Sequence, residues 1–167
     1  MKLKLKVNDF IVHSAHGVGK IMGLATKDLR GEKRIFYRVE TDILTYWLPV
    51  VESQSGRIRL VRAPSTFSNA VSVIRKKPKV MDNFFRSRIK HIKEEIDKCS
   101  VSCNATLIRD MSARNVNKGL HMNENRILDK LKSQFVNEWS ISADIEKTEA
   151  ENKLETALHA SMAKSAG

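Results

Sequence analysis

The densest set of residues with a chemical use lies between Arg75 and Lys93. This stretch carries eight basic side chains, one acid (Asp82) and two adjacent phenylalanines, Phe84 and Phe85. Basic side chains bind phosphates through charge, and an aromatic ring can stack on a base or insert at a base step. The stretch therefore predicts a nucleic-acid contact. The basic residues are Arg75, Lys76, Lys77, Lys79, Arg86, Arg88, Lys90 and Lys93.

The spacing around the two phenylalanines leaves both of them as candidates for the exposed ring. One apolar series recurs with the helical period, at Phe85, Ile89, Ile92 and Ile96. That period predicts that Phe85 faces a core and that Phe84, offset by about 100°, is exposed. The flanking charges favour contact between a ring and nucleic acid, because Arg86, Arg88 and Lys90 cannot all face away from these rings.

A second candidate contact is Trp47, in the apolar run from Leu44 to Val50. Side chains alternate between the two faces of a strand, so Leu44, Tyr46 and Leu48 are predicted to face the core and Trp47 the outside. A large exposed ring is often an anchor for a partner protein. Packing within the domain is the alternative for Trp47.

The sequence offers no support for catalysis, for a metal or for a cofactor. His13 and His16 are spaced as two possible ligands, but neither an acid nor a cysteine nearby completes a first shell. No nucleophile elbow, phosphate-binding loop or dinucleotide fingerprint is present. We expect a protein that is not an enzyme.

The net charge of +11 and the isoelectric point near 9.8 favour a polyanionic partner. The charge is uneven, since residues 140–167 carry three basic and five acidic groups and are not expected to touch a polyanion. No apolar run reaches the roughly 20 residues that span a bilayer. We expect a cytoplasmic, nucleoid-associated monomer with no membrane partner.

Two periodicities divide the chain into an α+β protein of two domains. Residues 1–62 hold five of the seven glycines and five short β-type segments, which predicts a small Tudor- or SH3-like β-barrel. Residues 63–167 follow the helical period and predict a compact all-α domain. The strands are predicted at Asp9–His13, Gly17–Leu24, Arg34–Glu40, Leu44–Val50 and Arg57–Val61.

Capping signals predict where the helices begin and end. Ser65 or Thr66 is expected to cap the first helix, and Asp82 or Asn83 the second. Pro78 is expected to end the first helix near Lys76. The third helix is expected to close at residues 117–119, and the last to span Asp144–Ala160.

From about Val7 to Leu158 the order of motifs resembles the CarD/CdnL family of bacterial transcription regulators. The N-terminal half by itself would also match the polymerase-binding domain of transcription-repair coupling factors, but the helical half excludes that larger helicase. The resemblance rests on Asp9 with Gly17–Ile21, on Gly31–Glu32, on Leu44–Val50, on Phe85–Lys90, on Arg109–Asp110, and on Gly119–Leu120 with Glu124 and Arg126–Leu128.

The resemblance implies a Tudor-like domain that docks on the RNA polymerase β subunit, and a helical domain that meets promoter DNA at the upstream edge of the bubble, largely independently of sequence. An aromatic wedge, Phe85 by motif position, would stabilise the open complex. The implied DNA-contacting set is Phe85, Arg86, Arg88, Lys90 and Arg126. The implied polymerase-contacting set is Lys27, Leu29, Thr45 and Trp47.

The chain departs from the family pattern at several of these positions. The family usually has tryptophan where this chain has Phe85, and phenylalanine offers less area and no N–H donor. The expected Ser-x-x-Glu capping box reads His121 to Glu124, which predicts a weaker cap by about 1 kcal/mol. The alternative function is a protein-interaction adaptor whose affinity for nucleic acid is only nonspecific.

Overall fold

The computed structural model describes residues 3–165, which divide into two compact units between Val61 and Arg62. The first unit contains the strands and the second contains the helices. The prediction of an α+β chain with a β domain followed by a helical domain is confirmed. Among the described residues, no helix is both long enough and apolar enough to cross a membrane.

The first unit is one antiparallel sheet of five strands, as predicted, in the order β4-β3-β2-β1-β5. The predicted closure into a barrel is not seen, because β4 and β5 form the two edges and no ladder joins them in the described part of the chain. A short 3₁₀ turn, Glu52–Gln54, connects them. The strands are β1 (Phe10–His13), β2 (Gly17–Leu29), β3 (Glu32–Glu40), β4 (Thr45–Pro49) and β5 (Ile58–Leu60).

Strand β2 is longer than predicted because a tight hairpin continues it to Leu29. Arg30 and Gly31 both have positive φ, 55° and 87°, as a two-residue turn of type I′ requires. The Asp28 carboxylate accepts from the Gly31 N–H at 2.8 Å. This turn pairs Leu29 with Glu32 and so sets which residues of β2 and β3 share a face.

One face of the sheet holds the apolar core of the first unit. Ile11, Ile21 and Val39 are completely buried, and Leu48 is nearly so. Leu5, Tyr37 and Ile58 complete this cluster. Tyr46 packs against it from β4, as predicted, whereas Leu44 lies before β4 and is exposed.

The second unit packs five helices around a single apolar core. Phe67, Phe135 and Trp139 meet there as rings, with centroid distances between 5.5 and 6.1 Å. Such aromatic contacts stabilise the fold beyond the area that they bury. The helices are α1 (Pro64–Ile74), α2 (Phe85–Asp97), α3 (Val101–Asn117), α4 (Met122–Ala143) and α5 (Lys147–Ser165).

Two predicted N-caps are wrong. Helix α1 begins at Pro64, after Ala63, because proline suits the first helical position and needs no capped N–H. Helix α2 begins at Phe85, with Phe84 at the N-cap position. The Asp82 carboxylate accepts from the Phe84 N–H at 2.8 Å, so it closes a turn just before the helix. Both phenylalanines consequently lie where the backbone enters α2.

The other predicted boundaries agree more closely with the structure. Helix α3 ends at Asn117 as expected, and Gly119 follows with a φ of 76°. Helix α5 begins three residues later than predicted, because Asp144 adopts a left-handed conformation with a φ of 52° and ends α4 instead.

Candidate nucleic-acid interface and docking face

Arg88 lies inside the helical unit and pairs with Glu124 across α2 and α4. Its side chain is 6% exposed and that of Glu124 is 0% exposed. The guanidinium donates to both carboxylate oxygens, from Nε at 2.6 Å and from Nη2 at 3.1 Å. Its Nη1 donates to the carbonyl oxygens of Asp82 and Asn83 at 3.1 and 2.8 Å. The expected contact of Arg88 with phosphate therefore does not fit this structure, because the side chain is buried and four of its five N–H donors are already used.

Glu124 also completes the capping box of α4. Its second carboxylate oxygen accepts from the His121 N–H at 2.9 Å, while His121 Nδ1 accepts from the Asn123 N–H at 3.4 Å. The capping box is therefore formed, with an imidazole nitrogen in place of the serine hydroxyl as the acceptor. The expected weakening of the cap by about 1 kcal/mol stays a prediction. Arg88, Glu124 and His121 thus hold the first turns of α2 and α4 together.

The electrostatics of this pair follow from its burial and its hydrogen bonds. Burial raises the pKa of Glu124, but the hydrogen bonds from Arg88 and His121 and the charges of Arg88 and Arg114 outweigh it, so the net pKa lies below its ordinary value. The hydrogen bond to Glu124 raises the pKa of Arg88 against the opposing effect of burial. Both groups are therefore charged at neutral pH.

The prediction from helical spacing that Phe85 faces the core is wrong. Phe85 is 37% exposed and Phe84 is 76% exposed, and neither belongs to the apolar core. The Phe85 ring packs against the His121 ring at a centroid distance of 4.7 Å, and Arg88 Cζ lies 5.9 Å from its centroid. The buried residues of α2 are Arg88 and Ile92. Near the start of the helix, the buried side chain is therefore that of Arg88 and not that of Phe85, which the helical spacing had predicted.

The remaining basic candidates lie on the surface around these helix starts. Arg86 and Lys90 are exposed on α2, and Lys90 lies 4.0 Å from Glu94 one turn later. Arg126 is exposed on α4, about 200° around the helix from Glu124, and therefore projects from the side opposite the ion pair. Lys118 lies near the start of α2, where its Nζ donates to Asn83 Oδ1 at 2.9 Å.

The four residues expected to face the polymerase share one face of the sheet. Ladder partners point to the same side, and Trp47 pairs with Arg38, Thr45 with Glu40, and Leu29 with Glu32. Lys27 pairs with Arg34 on this same face, and its Nζ lies 3.7 Å from the centroid of the Trp47 ring. These four residues together with Arg34 and Arg38 are called the docking face; Lys27 is half-buried and the other five residues are exposed.

The docking face combines a large ring with fixed positive charge. Trp47 is 39% exposed and Leu29 is 47% exposed, so both offer apolar area. The contact between Lys27 and the indole face is a cation–π interaction, which orients the ring. Arg34 and Arg38 were not predicted from the sequence as part of this surface. They lie two residues before and two residues after Phe36, so all three side chains are on one face of β3.

His13 and His16 lie in a ring cluster with Tyr46. The His13 and His16 ring centroids are 4.6 Å apart, and Tyr46 lies 4.6 Å from His16. Burial raises the pKa of Tyr46 to about 12. Across residues 3–165, no group of three or more histidine, cysteine or carboxylate side chains is arranged to hold a metal ion.

Two family models match the chain. The model of the CarD-like/TRCF RID domain matches residues 5–59, and the model of the CarD C-terminal domain matches residues 69–155, which is more than half of the chain. The chain belongs to the CarD/CdnL family. This CarD/CdnL protein is therefore a transcription-associated, RNA polymerase-interacting protein of a non-enzymatic family. The first match covers the five-stranded sheet and the second covers the helices that carry Phe85 and Glu124.

Proposed function

We propose that this CarD/CdnL protein binds the RNA polymerase β subunit through its docking face. We further propose that it stabilises the open promoter complex by contacting DNA at the upstream edge of the bubble. The observation that carries the proposal is the exposed pair Phe84 and Phe85 at the start of α2, beside basic side chains. No catalytic step is required of a protein that acts in this way.

Phe85 is the wedge in this proposal. Its ring already packs on His121, and the ion pair beneath it fixes the start of α2. A ring held in this way loses little rotamer freedom when it inserts into DNA, which favours binding. Phe84 is more exposed than Phe85, and among residues 3–165 no ring packs against it as His121 packs against Phe85.

Arg86, Lys90 and Arg126, which are exposed, supply the phosphate contacts. Arg88 is given a positioning role instead, since it holds α2 to α4. Phosphate contacts carry little sequence information, so the proposal implies modest, salt-sensitive and largely nonspecific affinity for DNA.

The regulatory effect follows from differential affinity. A ring that fits only distorted or melted DNA binds the open complex better than the closed one, and this difference shifts the equilibrium between them. A difference of about 1.4 kcal/mol changes the ratio of open to closed complexes tenfold. Docking on the polymerase raises the local concentration of the wedge at the promoter.

The test is the lifetime of polymerase–promoter open complexes with Phe85→Ala, Phe84→Ala and Phe85→Trp. A contribution of about 1.4 kcal/mol from the Phe85 ring corresponds to a tenfold effect. We therefore expect open complexes with Phe85→Ala to have a lifetime about tenfold shorter than open complexes with the wild-type protein. Phe85→Trp should lengthen it, because indole adds area and an N–H donor. Phe84→Ala is the matched control, with the same side chain removed one residue away.

The outcomes separate the proposal from its alternative. If Phe84→Ala shortens the lifetime and Phe85→Ala does not, the wedge is the neighbouring ring. If neither variant changes the lifetime while both still bind polymerase, the wedge is excluded. The protein would then act as an adaptor with only nonspecific affinity for nucleic acid.

A further inference from the structure

A cavity of about 330 Å³ lies in the helical unit, and neither Phe84 nor Phe85 is among its lining residues. One wall is the connection between α1 and α2, residues 77–81, and another is the C-terminal half of α3. This volume is within the range of cavities that bind small molecules. Neither proposed contact surface uses it.

The cavity is strongly basic. Lys77, Lys79, Arg114 and Lys118 line it, and Asp110 is the one acid among its lining residues. The Asp110 charge is paired with Arg109, because Asp110 Oδ1 accepts from Arg109 Nε at 2.7 Å and from the Lys79 backbone N–H at 2.9 Å. The remaining positive charge therefore favours an anionic ligand.

Arg114 carries an unsatisfied donor at this site. Its Nε is buried and has no hydrogen-bond partner in the described residues. Glu124 is close enough for Arg114 to lower its pKa, but the Glu124 oxygens accept from Arg88 and His121 instead. A ligand in the cavity does not reach this buried nitrogen, but the half-buried Arg114 side chain lines the cavity and contributes its positive charge there. That charge favours a phosphate group as the bound anion.

The rest of the lining is apolar. Pro78, Val80, Met81 and Ala113 form part of the wall, and Val80 is 88% exposed. Inorganic phosphate would reach the basic residues but would leave this apolar surface uncovered. A ligand with both a phosphate and a flat apolar body, as in a nucleotide, would cover both parts.

We propose that this cavity binds a small phosphorylated ligand of the nucleotide class. The phosphates lie against Arg114, Lys118 and the lysines at 77 and 79, and the base lies against the wall formed by residues 78–81. Lys118 spends one of its three donors on Asn83 and keeps the others for the ligand. The site does not depend on the proposed wedge.

The test is a titration of the full-length protein with ADP and GDP, followed by amide NMR shifts and by calorimetry. We expect saturable binding of one equivalent, with shifts concentrated at residues 77–83 and 113–118. Adenosine and inorganic phosphate should each bind at least tenfold more weakly, because adenosine lacks the phosphates and inorganic phosphate lacks the base. A short DNA duplex is added to a nucleotide-saturated sample to find out whether backbone phosphates use the same site.

Lys118→Gln and Arg114→Gln are each expected to weaken nucleotide binding at least tenfold. Lys130→Gln is the matched control, because it removes one exposed charge from α4 outside the cavity. It should change affinity less than twofold. Thermal unfolding of Arg114→Gln checks that the variant is folded, and the exposed Lys118 gives a second variant that leaves the core untouched.

Three results would overturn the proposal. The first is binding that does not saturate. The second is an equal loss of affinity in Lys118→Gln and Lys130→Gln, which would mean that only the overall charge matters. The third is stoichiometric displacement of ADP by the duplex, which would make the cavity a subsite for DNA phosphates.

Discussion

Replacing Glu124 by glutamine removes the charge that balances Arg88 inside the helical unit. The substitution keeps the shape of the side chain, so the cost comes from hydrogen bonds and charge. An amide retains one acceptor, and its nitrogen cannot accept from Arg88 Nη2 or from the His121 N–H, which both use the same carboxylate oxygen. The variant therefore leaves a buried guanidinium without its counter-charge and opens the capping box of α4.

The magnitude follows from these contacts. Breaking a buried ion pair by removing one partner costs about 3–5 kcal/mol. Loss of a helix cap costs about 1 kcal/mol. The carbonyl oxygens of Asp82 and Asn83 still accept from Arg88 and reduce the penalty. We expect Glu124→Gln to lower the free energy of unfolding of the helical unit by about 3 kcal/mol.

The two tryptophans allow each unit to be followed separately, because Trp47 lies in the sheet and Trp139 in the helical core. Urea denaturation in a Trp47→Phe background, followed by Trp139 fluorescence, reports the helical unit. Arg88→Met and the double variant Arg88→Met with Glu124→Gln complete a thermodynamic cycle. The double variant should be more stable than the sum of the two single effects predicts.

One result would refute this reasoning. If Glu124→Gln costs less than about 1 kcal/mol, the pair behaves like an exposed salt bridge. A buried clamp between α2 and α4 would then be excluded. Purely additive effects in the cycle would lead to the same conclusion.

Three further predictions concern the docking face, the acid sensitivity of the ion pair and the packing of the sheet. Trp47→Ala should weaken binding to the isolated β lobe at least tenfold by surface plasmon resonance and leave DNA affinity unchanged, whereas Leu24→Ala on the opposite face should change neither. Because the pKa of Glu124 is lowered on folding, its ionised form stabilises the folded state fully above pH 4.5, and this contribution is lost as the pH falls further. In an acid titration, the free energy of unfolding of Glu124→Gln should therefore fall less steeply than that of the wild type. Gly19→Ala places a Cβ 2.7 Å from Val39 Cγ1 and should cost the sheet about 1–3 kcal/mol in urea.

Much of the fold could be predicted from periodicity, because burial imposes a period of two on strands and 3.6 on helices. The five strands and the helical half were found in this way. The helix starts were less predictable, since Ser65, Asp82 and Asn83 are all good caps by type. Proline at position 64 and the local turn that Asp82 closes decided those positions instead.

The candidate site was predictable in its location but not in its detail. The sequence shows directly that basic residues and two aromatic rings are concentrated between Arg75 and Lys93. The burial of Arg88 is not, because it depends on Glu124, which lies 36 residues away and on another helix. The cavity beside Arg114 has no sequence signal, since its walls come from three separate segments.

The sequence by itself determined the class of each half, the basic character of the chain and the motifs that resemble the CarD/CdnL family, because these depend on residue type and local spacing. Tertiary structure decided which basic residues lie on the surface and that both phenylalanine rings are exposed. Those outcomes depend on contacts between distant segments. The ion pair between Arg88 and Glu124 holds one arginine in the interior of the helical unit, while Phe85 near this pair remains exposed.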